Sequence, residues 1–206
     1  MKIFALAGLV LAPVLLVGCS SGSSGTTPEA AASLPVPGVT LPADELTPLV
    51  PTPAEVPAGM VPLLSGSGAR TLEVVASYSG AGAAATAAAA KLTAHGFQKA
   101  YVAQYANQST AQAVTVLVSQ FKDAAGAKAD LGDDLMGFAG KVVVTPTLGE
   151  QSQVTVQETP GAGATQLVLV RFRRGANTWL LSYSAVPTAD PKIAIDLATT
   201  LLKRTA

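Results

Sequence analysis

The chain has 206 residues, 49% of them hydrophobic, with 13 Lys+Arg balanced by 13 Asp+Glu. That length allows one folded domain plus targeting and linker segments, and the hydrophobic fraction is inflated by an apolar start and by abundant alanine. The charge balance argues against a nucleic-acid partner, whose affinity would rest on clustered cations, and a single cysteine excludes any disulfide within the chain.

Met1-Lys2 gives a short cationic start, and Ile3 to Val17 forms an apolar run interrupted only by Gly8 and Pro13. The run is too short to span a bilayer with margin and reads as a signal-peptide core. It ends in Leu16-Val17-Gly18-Cys19. This resembles the lipobox of bacterial lipoproteins: an apolar residue, a permissive one, a small one, then cysteine. The resemblance covers about the first tenth of the chain. It implies removal of residues 1–18 and lipidation of Cys19, whose acyl chains, palmitate among them, anchor the protein on the extracytoplasmic face of the cell membrane. Two or more chains, at about 0.8 kcal/mol per buried CH₂, hold stably where one gives reversible binding. Loss of Lys2 with the signal would leave one net negative charge.

Residues 19–58 are expected to be a tether. Ser20 to Thr27 reads SSGSSGTT, and nine of the fourteen prolines fall between Pro28 and Pro62, including VPTPAEVP at 50–57. Gly/Ser chain is a flexible coil and Pro-rich chain a semi-rigid spacer of about 3.1 Å per residue. Val36, Val39, Leu41, Leu46 and Leu49 leave open whether part of the tether docks on the domain.

The folded domain is expected over 59–206. A short helix fits Ala69–Tyr78, and an alanine-rich helix spans Ala83–His95, stopped by Gly96 in the left-handed position with Phe97 folding back. Strands at Ala100–Tyr105 and Ala113–Phe121 pair antiparallel about the Asn107-Gln108-Ser109-Thr110 loop. Asp123 caps a helix running to about Ala139, with Ala127, Leu131, Leu135 and Phe138 at helical spacing. A strand follows at Gln153–Glu158, and then a second hairpin, Gln166–Phe172 and Thr178–Ala185, turns about Arg174–Asn177. The last helix starts at the Asp190 cap and Pro191 and stacks Ile193, Leu197 and Leu201. The order α-α-β-β-α-β-β-β-α, with a hairpin and an Asp-capped helix occurring twice, gives an α+β fold: a single antiparallel sheet with helices packed on it. Residues 59–206 also resemble, loosely, uncharacterised exported lipoproteins, a likeness that brings no activity with it.

Chemistry has few carriers here. His95 is the sole histidine, it is placed where a donor suits a helix C-terminus, and Cys19 is committed to lipid. That leaves no Cys-His or Ser-His-Asp arrangement, no metal site of usual ligand types and no cofactor motif. A carboxylate pair could be drawn from Asp130, Asp133 and Asp134 or from Glu150 and Glu158, although such residues are more often a solvated helix face and a sheet edge. Asp123, Asp130 and Asp133 lack calcium-loop spacing. Ser65-Gly66-Ser67-Gly68-Ala69-Arg70 could offer backbone N–H groups at a helix start, without the lysine or spacing of a P-loop. Arg171, Arg173 and Arg174 form the only cationic cluster, suited to an anion or partner contact and equally to protecting an edge strand. Trp179, among Leu180, Leu181 and Tyr183, reads as core.

The expectation is a non-enzymatic module of the cell envelope, held to the membrane through lipid on Cys19, that binds a small amphiphile or an envelope protein. The alternatives are a carboxylate-based hydrolase and a purely structural envelope protein.

Overall fold

The computed structural model describes residues 40–133, 140–143, 147–159 and 165–204. The signal segment, Cys19 and the first part of the tether lie outside these, as do Asp134, Leu135 and Phe138 of the expected third helix.

Among the described residues an eight-stranded sheet is antiparallel throughout, in the order β1-β3-β4-β8-β7-β6-β5, with β2 also paired to β3. Its long strands are β3 (Phe97–Asn107), β4 (Gln112–Phe121), β6 (Gln151–Thr159), β7 (Thr165–Arg174) and β8 (Asn177–Ala185), and its edges are the short β1 (Val61–Pro62), β2 (Gly68–Arg70) and β5 (Lys141–Val143). Short edges limit pairing with foreign chains. The helices are α1 (Leu72–Ser77), α2 (Ala83–Ala94), α3 (Ala124–Gly132) and α4 (Pro191–Lys203). The expected α+β architecture is thus the one observed, with the three short strands added to it. One of them, β2, shortens the first expected helix, because Ala69 and Arg70 pair with Tyr101 and Ala100 instead.

The two hairpins meet in the middle, where β4 pairs with β8 and Val116 lies opposite Leu181. Each has its own turn chemistry. Asn107 Oδ1 accepts from the Ser109 and Thr110 N–H groups in the first, and Gly175 takes φ 55 in the two-residue loop of the second. Strand alternation then gives the sheet two apolar faces and a three-layer sandwich. One face carries Tyr101, Tyr105, Val116, Val170, Trp179 and Leu181 and is covered by α4 through Ala194, Leu197, Ala198 and Leu201. The other carries Ala100, Val102, Leu117 and Phe121 and is covered by α1, α2 and α3 through Val75, Leu92 and Ala127.

Helix ends are capped as the residue types require. Asp123 accepts from Gly126 N at 2.9 Å, and Asp190 from Lys192 N at 2.9 Å. α2 stops at His95, after which Gly96 takes φ 74 and Phe97 sets its ring edge-on to Phe121, 6.0 Å between centroids.

The later part of the expected tether belongs to the fold. Leu46, Val50, Val56 and Met60 are 1–6% exposed and join the core on the α4 face. Body side chains grip this strap by its carbonyls: Trp179 Nε1 donates to Leu49 O at 3.0 Å, Tyr101 to Pro42 O at 2.7 Å, and Tyr105 to Pro51 O. Arg204, just past α4, donates to Pro48 O (3.0 Å) and Val50 O (2.7 Å) and pairs with Glu55. Proline supplies no N–H but keeps its carbonyl, so a Pro-rich segment is well suited to being held this way.

Candidate functional site

α3 crosses β4, β8 and β7 with Ala127 and Leu131 buried against the sheet. Asp130, three positions after Ala127, therefore turns inward too. Thr178 Oγ1 donates to its Oδ2 at 3.1 Å. Burial raises the Asp130 pKa above the usual carboxylate value, and the Thr178 hydrogen bond and the charges of Arg171 and His95 pull the other way without cancelling it.

Beside Asp130 a cavity of about 40 Å³ opens between the helices and the sheet. Leu92, Leu117 and Leu180 form its apolar wall, and Asp130, Arg171 and Thr178 supply its polar side. This is room for a water molecule or two in a polar setting. One boundary is Val75 and Ser79, from the six-residue α1 and the linker after it. That linker reaches α2 through Gly80 and Gly82, at φ 125 and 61, values that L side chains rarely adopt.

The three arginines of β7 are separated by the pleat. Arg171 Nη2 donates to the carbonyls of Asp130 (3.4 Å) and Asp133 (3.2 Å), satisfying the end of α3. Arg174 faces the other side, where Nη1 donates to Leu202 O near the end of α4 at 2.9 Å. Arg173, only 9% exposed, pairs with Glu150 and donates from Nε to Gln151 Oε1 at 3.3 Å. β7 lies between β6 and β8, so edge protection does not explain the cluster. Two of the three arginines instead close helix ends on opposite faces of the sheet.

The carboxylates divide as sharply. Asp130 is not part of a solvated helix face, because α3 lays that side on the sheet. Asp133 collects Lys91 at 3.3 Å and His95 Nε2 at 3.6 Å. His95 Nδ1 is buried without a hydrogen-bond partner. Glu150 is held below the ordinary carboxylate range by the Gly175 N–H and Arg173. Glu158 lies at the far end of β6 and accepts from Gln166 at 3.3 Å. Eight positions of extended strand separate those glutamates by about 26 Å, too far for two acids to share one glycosidic bond. The Ser65–Arg70 loop does not open a helix: Arg70 curls back onto Gly66 O, Gly68 O and Ala69 O, and α1 begins at Leu72. Trp179 is core, 1% exposed and stacked on Phe172 at 5.0 Å. Among the described residues no group of three or more His, Cys, Asp or Glu is placed to hold a metal, and no helix is long and apolar enough to cross a membrane.

The fold is similar to the extracellular domain of PknH from Mycobacterium tuberculosis, with a TM-score of 0.55 and 14% sequence identity over 81% of this chain and 98% of that one. No family model and no curated protein matches the sequence.

Proposed function

We propose that the chain is a lipid-anchored, non-enzymatic binding module of the cell envelope that takes a small amphiphile beside Asp130. The observation that carries the reading is the placement of Asp130 and Arg171 together in a leucine-walled cavity. Drawing a carboxylate inward costs stability, and capping α3 needs only Arg171, so Asp130, held by Thr178, stands as a polar group facing the cavity beyond what the helix end requires. A carboxylate, a guanidinium and a hydroxyl at one end with leucines at the other suit a ligand with a donor-bearing polar head and an apolar tail. The cavity has to widen to accept it. α1, six residues long and leading into the glycine linker, is the wall whose outward movement would open it.

The extracytoplasmic placement draws support from the signal-like start ending in Cys19, and from the likeness of fold to a domain described as extracellular. Native mass spectrometry of the protein purified from its own host tests the reading. A retained small molecule that is lost in Asp130→Asn supports it, and equal retention in parent and variant refutes the site. Empty protein at every preparation refutes the binding reading itself.

A further inference from the structure

On the opposite face of the sheet from the cavity beside Asp130, the strap is held as a peptide ligand is held, with Trp179 the one residue that touches both. Its backbone donors are satisfied locally: Thr47 N reaches Asp44 O, Leu49 N reaches Leu46 O, Val50 N reaches Thr47 O, Glu55 N reaches Thr52 O, and Thr52 N reaches the Glu55 carboxylate. Five of its carbonyls, those of Pro42, Pro48, Leu49, Val50 and Pro51, accept instead from Tyr101, Tyr105, Trp179 and Arg204 of the body. It adds no strand to the sheet until Val61. Between those hydrogen bonds Leu46 and Val50, four positions apart across a short 3₁₀ turn, are both buried. Aromatic donors set along a groove and reading the carbonyls of a proline-bearing segment are a recurring mode of peptide recognition.

We propose that this groove is a peptide-docking site, filled in cis by residues 41–60 and open in trans to a proline-rich segment of the same chemistry from a partner. That chemistry is an apolar side chain at each of two positions four apart, with proline carbonyls turned to the two tyrosines and an acidic residue for Arg204. The covalent link gives the resident segment a high effective concentration, so the intact chain shields its own groove, and a partner engages it only by displacing the strap. The exposed Ala58-Gly59 junction, with Gly59 at φ 82, is where the strap joins the body.

A protease site placed between Ala58 and Gly59 of the full chain tests this without removing any residue. After cleavage the N-terminal fragment is expected to stay with the body on gel filtration. A fluorescent synthetic peptide of residues 40–58 is expected to exchange into the groove while circular dichroism shows the body still folded. Peptides carrying Leu46→Asp or Val50→Asp are expected to bind at least about tenfold more weakly, since each removes a buried apolar contact. Because those changes lie in the peptide, the body's folding is untouched. A retained fragment that never exchanges would overturn the proposal, as would a cut body that unfolds and is not restored by the peptide, for the body would then offer no groove apart from the strap. Neither outcome bears on the Asp130 cavity.

Discussion

Truncating Leu46 to alanine separates a spacer from a strap. In a solvated tether the change would cost almost nothing. In the structure Leu46 is 2% exposed and belongs to the core beneath α4. Losing three buried carbons at about 0.8 kcal/mol each gives roughly 2.4 kcal/mol, and incomplete collapse around the gap places the total at about 2–5 kcal/mol. For a domain of this size that corresponds to a fall in Tm of about 5–15 °C. Urea unfolding followed by Trp179 fluorescence and by far-ultraviolet circular dichroism measures it, and the two signals should move together if the strap unfolds with the sheet. Leu64→Ala, at a leucine 46% exposed, is the control and should stay within about 0.5 kcal/mol. A Leu46→Ala loss below about 1 kcal/mol would refute the assignment of the strap to the core.

Asp130→Asn should raise Tm at pH 7. The folded pKa lies above the unfolded value, so the folded state keeps its proton longer, stability falls as pH rises through the gap, and the penalty is full above it. The advantage of the variant should therefore vanish below about pH 4, and a variant no more stable than the parent at pH 7 would contradict the burial. Glu55 runs the other way. Burial works against its carboxylate, but Arg204 and Thr52 outweigh it and lower the pKa. The stability it lends is present above the ordinary value of 4.5 and is lost as pH falls through the folded value, so Glu55→Gln should flatten the acid limb of a urea-midpoint profile. Gly126→Ala should cost about 2 kcal/mol or more in chemical denaturation, because a Cβ there would lie 1.9 Å from His95 O, a backbone atom with little room to yield. Finally, Cys19→Ala should abolish acyl-chain labelling in the host, and labelling that persists would rule out that anchor.

Much of the architecture was readable because its signals are local. Asp123 and Asp190 announce their helices, Gly96 stops α2, and alternation marks β3, β4, β7 and β8. The strap was legible only as an open question raised by apolar residues such as Leu41, Leu46 and Leu49, because what holds it is the backbone carbonyl, a group every residue carries, and proline looks the same in a spacer as in a docked segment. Arg171, Arg173 and Arg174 looked like a cluster because the sequence lists neighbours in order, whereas the pleat sends Arg171 and Arg174 to opposite helices. Their roles depend on β7 being an interior strand, and strand order is a property of long-range pairing that no local pattern records. Asp130 was visible as an acid but not as a half-buried one, because its surroundings come from β7, β8 and α2.

The route of the strap also orders events in time. Its groove is assembled from β3, from β8 and from Arg204 at the end of α4, so the segment that leaves a ribosome or export channel among the first is among the last to find its place. Contacts between distant parts of a chain form late, since the intervening loop must be closed before they are rewarded. Only the arrival of the final helix completes the groove around residues 41–60.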